Sequence, residues 1–374
     1  MNKNKKALFG IAATVVAICI MVAVITIKYR ISDQTDGRTV IRVAFNVPLT
    51  GTLATYGSSI RDGAILAMED IQTKDTSIRI DCDFQDNASE PKSATNIFMK
   101  HQNEKPNVYV SGIKPQTMAI IDRVEEMNIP HFTWIFDAFV TENYKNVFRT
   151  WVNYKMEAAK ILQYVDELEP RKVAIAYVHL PHSEEQYLEI IIPELQKRGI
   201  DFIVERYPIE KSNFRDVATK FKSYEPDLML FNGFSANFIP LVRHFREIAL
   251  FDGQNALFSF DLLDASEELS NELLEGLRLV IPTYEIHRQD QEWNTRFEQR
   301  FRRIPRYTDA YAYDMMLAIY YAAKSQNNIN LMGSLLSVEF DDAITGKFAF
   351  DTSGDLIVTL DIAEYKDGQI QRVQ

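Results

Sequence analysis

The sequence predicts an α/β protein of two doubly wound, Rossmann-like lobes facing each other across a cleft, preceded by one N-terminal transmembrane helix. Three observations lead there. Short continuous apolar runs alternate with segments of helical spacing, the alternation restarts at Lys172, and the chain begins with a long stretch free of charge. With 374 residues and 46% apolar composition, the chain has enough apolar side chains for two ordinary cores.

Residues 1–6 read as a cytoplasmic tail, Lys3, Lys5 and Lys6 being the only charges before Lys28. Ala7–Ile27, "ALFGIAATVVAICIMVAVITI", gives 21 residues without a charge, about 31 Å as a helix at roughly 1.5 Å per residue, enough to cross a bilayer. Basic residues before such a span stay in the cytoplasm. A cleaved signal has a core of about 7–15 apolar residues followed by a small-x-small site, so the expectation favours an uncleaved membrane anchor over a removed signal. Ile18 stands where a lipid-attachment motif before Cys19 needs a small residue, and Cys19 reads as membrane-facing packing. Residues 28–39 form a polar linker, and the remainder is expected outside the cytoplasm, periplasmic or extracellular.

That exported portion is acidic. The formal net charge is −11 even with the three leading lysines counted, which argues against nucleic-acid partners. Only Cys82 lies beyond the span, so no intrachain disulfide is possible there and stability must come from the core; the thiol itself reads as a buried strand residue.

"VIRVAFNV" is a continuous apolar run of the kind found in buried parallel strands. Ile60, Ala64, Ala67, Met68 and Ile71 follow at helical spacing, with Ser58 or Ser59 able to cap the first turn. "SIRIDCDF" then precedes "PKSATNIFMKHQ", "NVYVSG" precedes "TMAIIDRVEEM", and "HFTWIF" ends a fourth strand. The second series runs through "KVAIAYVH", "DFIVERYP", "DLMLFNGF", "ALFSFDLL" and "LRLVIPTY". Parallel strands need crossover helices, so two such series imply two wound sheets. The C-terminal portion holds one long helix, "TDAYAYDMMLAIYYAAKSQ", and short strands broken by "TSGD" and "KDGQ" turns.

Ligands of open α/β sheets sit beyond the carboxyl ends of strands. The loop after the first strand occupies that place: Gly51 and Gly57 permit close backbone approach, and Thr50, Ser58 and Ser59 supply hydroxyls. Its glycine spacing is one residue too long for a phosphate loop, and Ser58 stands in place of the lysine.

"PLTGTLATYGSSIRDGAILAMEDI" resembles the first strand-loop-helix of type I periplasmic binding proteins, in particular the branched-chain amino-acid (Leu/Ile/Val) receptors of ABC transporters. "FQDNASEPKSA", "NVYVSG", "MNIPHFT", "NVFRT", "YPIEKSNFRDVATKFKSYEPDLMLFNGF" and "TDAYAYDMMLAI" are similar to later elements of that family in the same order, from about residue 40 onward. The resemblance implies three crossovers, near Arg149, Pro282 and Ala343, so that residues 40–150 and 283–342 form lobe 1 and residues 151–282 and 343–374 form lobe 2. It also implies a solute-binding receptor that closes by hinge motion around a small polar ligand, amino-acid-like or amine-containing, with an ABC permease as partner.

Tyr56 matches a ligand-contacting tyrosine of the family, and Asp261 an acidic residue that receives an ammonium group. Lys114, with Gln116 and Thr117 nearby, stands where those receptors carry hydroxyls for a carboxylate. Phe136 and Asp137 replace a small-small-Thr loop, His182 replaces a tyrosine, and Phe234 or Ser235 falls at a further position. Ligand binding is thus expected from Tyr56, Lys114, Gln116 and Asp137 in lobe 1 and from His182, Phe234 and Asp261 in lobe 2. Two readings stay open. In one, Lys114 receives an anion while Asp137 and Asp261 hold amines; in the other, Lys114 pairs with Asp137, Phe136 fills the cleft, and the protein is an anchored regulator or scaffold for another envelope protein.

No catalytic residue, cofactor or metal is expected. His179 and His182 in "HLPH" lack supporting ligands, and Asp81, Asp83 and Asp86 lack the glycine and final glutamate of a calcium loop. "RFEQRFRRIPR" reads as a helix face with an apolar seam, and no G-x-S-x-G or H-E-x-x-H occurs. Enzymatic activity is accordingly not expected.

Overall fold

The computed structural model describes residues 38–373 except 253–254, 288–291 and 326–330. The expected span at 7–27, with its tail and nearly all of the linker, lies outside the described residues; among those described, no helix is long and apolar enough to cross a membrane.

Two sheets organise the chain. The first contains β1 (Thr39–Val47), β2 (Ile78–Asp86), β3 (Val108–Ser111), β4 (His131–Thr133) and β5 (Val147–Arg149), all parallel in the order β2-β1-β3-β4-β5. The second begins with β6 (Lys172–Val178), β7 (Asp201–Tyr207), β8 (Leu228–Asn232), β9 (Asn255–Phe258) and β10 (Arg278–Pro282), parallel in the order β7-β6-β8-β9-β10. The hairpin β11 (Glu339–Ala343) and β12 (Gly346–Ala349) stands apart, while β13 (Leu360–Lys366) and β14 (Gln369–Arg372) extend the second sheet antiparallel from β10. Both series share one winding, whose order reverses beside the first strand of each, between β1 and β3 and between β6 and β8.

The strands are apolar runs because helices cover both faces of each sheet. On the second sheet, Ala174, Ala176, Met229 and Phe231 face one core, and Val173, Ile175, Leu228 and Leu230 the other. The helix Ala54–Lys74 buries Ile60, Ala64, Ala67 and Ile71 on one side. It lies close to the helix Tyr307–Lys324: a Cβ at Gly63 would stand 2.0 Å from the Asp309 carbonyl oxygen. The helix starts at Ala54 without a side-chain cap, so Ser58 and Ser59 fall in its second turn rather than capping it.

The basic run from Arg296 is spent on this packing. Arg296 reaches Asp70 at 2.8 Å, Arg300 reaches Glu69 at 2.9 Å, and Arg303 bridges Asp62 and Asp309. Phe297 is buried beneath them as the apolar seam.

The chain passes from the first sheet to the second through residues 150–153 and returns after Pro282, since Trp293 and Phe297 join the first core. The third passage differs from the expected position at Ala343. Phe340, Phe348 and Phe350 hold the β11–β12 hairpin to the first core, and Leu356 packs there too, so the crossing falls between Leu356 and β13. The first and third passages are bonded together. Arg149, wholly buried, donates from Nε to Asp355 at 2.7 Å, and its backbone pairs with Gly354 and Leu356. Gly354 has a φ of +90°, and a Cβ there would stand 2.3 Å from the Val147 carbonyl oxygen.

Candidate functional site

A cavity of about 520 Å³ opens between the carboxyl ends of the two sheets. Its walls come from strand ends and the segments that follow them: Leu53 and Tyr56 after β1, Ile113 and Lys114 after β3, Trp134–Asp137 after β4, Leu180–His182 after β6, Asn232 at the end of β8 with Gly233 and Phe234 after it, and Phe260 and Asp261 after β9. Trp151 from the first passage and Tyr307 from the long helix complete it.

Six of the seven sequence-expected ligand residues, Tyr56, Lys114, Asp137, His182, Phe234 and Asp261, line this cavity. Gln116 does not. Its side chain is buried behind the wall and donates to the Ser89 carbonyl, because the short helix Lys114–Met118 turns it toward the neighbouring loop. The hydroxyls of the first loop are also spent on the fold. Asp86 accepts from the amides of Leu49 and Thr50 and from Thr50 Oγ1 at 2.6 Å, while Ser59 is buried within its helix. Gly57 permits close backbone approach, but to Pro48: a Cβ would meet that carbonyl oxygen at 2.0 Å.

β4 ends at Thr133, three residues short of Phe136 where the expected strand "HFTWIF" stops, and Trp134–Asp137 leave the sheet to form cavity wall. Arg149 holds this segment from behind, donating to the carbonyls of Ile135 and Asp137. Phe136 then reaches across to the second sheet's loops, edge-on to His182 at 5.5 Å and to Phe260 at 5.8 Å between ring centres. Trp151 stacks on Tyr307 at 4.4 Å and meets Phe260 edge-on at 5.2 Å. The cavity is therefore walled mainly by rings, with a seam of aromatic contacts joining the two sides.

Its charges are unevenly placed. Lys114 donates to Asp137, whose side chain is 4% exposed against 36% for the lysine. That pairing is the second of the two readings left open for these residues, whereas the cavity beside it remains. His182 is held below its ordinary pKa chiefly by burial, and the Asp137 charge opposes that shift. Opposite, Asp261 is pushed well above the usual carboxylate range by burial and by the neighbouring Asp264 and Glu157. Its one side-chain hydrogen bond is a long one from Ser259 Oγ, 3.4 Å, and among the described residues it has no ion-pair partner. Tyr56 donates to Asp264 at 3.1 Å, linking the two sides; burial and the two aspartates raise the phenol pKa.

A buried polar chain supports the second wall. Ser183 donates to Asn232 at 2.7 Å, and Gln186, in a π-helical stretch Glu185–Ile191, donates to Glu157 at 2.7 Å. Burial raises Glu157 to about 7. Sequence reasoning missed Trp151, Phe260, Tyr307 and Asp264 as site residues. Asp264 lies three positions beyond Asp261, a spacing that puts both on one side of a helical turn.

Asp83, His101 and Glu104 are the described residues close enough together to approach a metal ion. They sit at the outer edge of the first sheet, where Lys100 already lies 3.2 Å from Asp83 and 3.8 Å from Glu104. Burial pushes the half-buried Cys82 thiol up to about 12 and keeps it protonated.

Residues 40–369 match the family profile described as periplasmic binding protein. No curated protein sequence matches the chain. Among solved structures, a branched-chain amino acid transporter substrate-binding protein from Streptococcus pneumoniae in complex with isoleucine is similar at 18% identity and a TM-score of 0.73, over 89% of this chain and 98% of that one. An ABC-transporter solute-binding protein from Rhodopseudomonas palustris in complex with 3,4-dihydroxybenzoic acid gives 17% and 0.75, over 89% and 96%. A branched-chain amino acid ABC-transporter ligand-binding protein from Burkholderia xenovorans gives 15% and 0.79, over 89% and 94%. At these identities the likeness establishes the fold.

Proposed function

The chain belongs to the periplasmic binding protein family, and we propose that it is an extracytoplasmic solute receptor whose two lobes close on a small ligand bearing an amine. The observation that carries this reading is Asp261, a carboxyl on the wall of an aromatic cavity that among the described residues has no cation beside it. An ammonium group supplies the missing counter-charge through a charge-assisted hydrogen bond, and the surrounding rings favour both a cation and an apolar body. Burial holds Asp261 well above the usual carboxylate range, and an ammonium beside it favours the ionised carboxylate. Ligand contact with both lobes is what shifts the equilibrium toward closure.

Relatives of this fold bind isoleucine in one case and an aromatic acid in another, so the fold accommodates ligands of this size. In this reading the ligand passes to an ABC permease, and the uncharged run Ala7–Ile27 anchors the receptor to the membrane. A second reading, an anchored scaffold that binds another envelope protein, draws on the Lys114–Asp137 pair and the rings of Phe136 and His182 meeting across the cleft.

Thermal unfolding of the full chain against aliphatic and aromatic amines, amino acids and small acids separates the two. An amine at about 100 times its Kd stabilises the receptor by about 2.7 kcal/mol, and Asp261→Asn removes the effect. A panel without any shift supports the scaffold instead.

A further inference from the structure

We propose that the Lys114–Asp137 pair makes the cavity select amines that carry no carboxylate, an inference that rests on the amine-receptor reading above. Alkyl or arylalkyl amines are held; the corresponding α-amino acids and plain acids are rejected.

Besides two tyrosines, the titratable groups on the wall are Lys114, Asp137, His182 and Asp261. Lys114 carries the one ammonium group among them, and it is bound to Asp137, the more deeply buried partner. Drawing the lysine toward a ligand leaves that aspartate buried without its counter-charge, a costly exchange. Nor does the nearby Arg149 replace it, because its guanidinium is engaged by Asp355, Thr141 and the carbonyls of Ile135 and Asp137. His182 sits below its ordinary pKa through burial, so at neutral pH it brings no positive charge. On the opposite wall Asp261 offers an anion no positive charge. A carboxylate entering the cavity thus loses its hydration and, among the described residues, finds no free cation, whereas an ammonium finds Asp261 waiting.

Calorimetric titration of the full chain with 2-phenylethylamine, phenylalanine and 3-phenylpropanoate tests this. These three share a ring and differ in charged groups. The wild type is expected to bind the amine at least tenfold more tightly than phenylalanine, about 1.4 kcal/mol, with 3-phenylpropanoate weakest. Asp137→Asn leaves Lys114 with an uncharged neighbour, and affinity for 3-phenylpropanoate is expected to rise at least tenfold. Adding Lys114→Met to Asp137→Asn removes the freed ammonium without stranding an aspartate, and the double variant is expected to lose that gain.

Phenylalanine binding the wild type within threefold of the amine overturns the inference while leaving the amine receptor intact. So does a folded Asp137→Asn protein with unchanged carboxylate affinity, or a double variant that keeps the full gain. Should Asp137→Asn fail to fold, the wild-type ratio still decides. Absence of any binding by 2-phenylethylamine sinks the amine reading and this inference with it.

Discussion

Replacing Asp355 by asparagine removes the charge that joins the first and third passages between the lobes. Asp355 Oδ1 accepts from Arg149 and from Thr141 at 3.0 Å, and Oδ2 accepts from Asn153 at 3.1 Å. Arg149 is 0% exposed, so the variant strands a guanidinium in the interior. Breaking a buried pair in this way costs about 3–5 kcal/mol. The loss extends to the site, because the same guanidinium holds the carbonyls of Ile135 and Asp137. Urea denaturation of the full chain, followed by tryptophan emission, reads the effect directly: all three tryptophans, Trp134, Trp151 and Trp293, belong to the first core or its exit. With a slope near 3 kcal/mol per molar, the expected loss moves the midpoint down by about 1 M or more. Arg149→Met combined with Asp355→Leu should be less destabilised than either single change, since an apolar pair leaves no stranded charge. A midpoint shift below about 0.3 M in Asp355→Asn would refute the hinge-pair reasoning.

Stability should fall as pH rises from about 4.5 to about 7. Burial raises Glu157 and Asp314 to about 7, so the folded state keeps protons that the unfolded chain, with carboxylates near 4.3, has released. Each group removes on the order of 3 kcal/mol across that window, with little further change above it. Urea midpoints at pH 5 and pH 8 should differ less in Glu157→Gln than in the wild type; equal differences contradict the assignment. Gly57→Ala should cost about 1–3 kcal/mol, since its Cβ would meet a backbone carbonyl at 2.0 Å that has little room to retreat. An unchanged melting temperature counts against that packing. Tyr56→Phe removes the hydrogen bond to Asp264 between the lobes and should weaken amine binding about fivefold, as loss of roughly 1 kcal/mol does, read by calorimetry. Undiminished affinity would place Tyr56 outside the closing contacts.

The wound sheets were legible in the sequence because parallel strands covered on both faces must be apolar throughout, as "KVAIAYVH" and "DLMLFNGF" are. Cavity residues after strand ends were legible for the reason that the fold places its ligands there. Other features depend on long-range partners that spacing does not encode. Gln116 sits one turn from the wall, and only the position of Ser89 decides which way it faces. The third crossing was set too early, near Ala343, because the aromatic residues that tie β11–β12 to the first core lie on both sides of that point. Thr50 looked free for a ligand until Asp86, 36 residues on, claimed it. Arg149 was marked as a crossing point, but its buried bond to Asp355 joins segments more than 200 residues apart.

Trp134 and Trp151 line the cavity, whereas Trp293 lies in the core elsewhere. A titration of the full chain with 2-phenylethylamine, monitored by tryptophan emission, therefore tests most directly whether a solute enters between the lobes. Solute capture at Asp261 predicts a saturable change that persists in Trp293→Phe and disappears in Asp261→Asn. Emission that stays flat through saturating amine, or changes equally in Asp261→Asn, would contradict it.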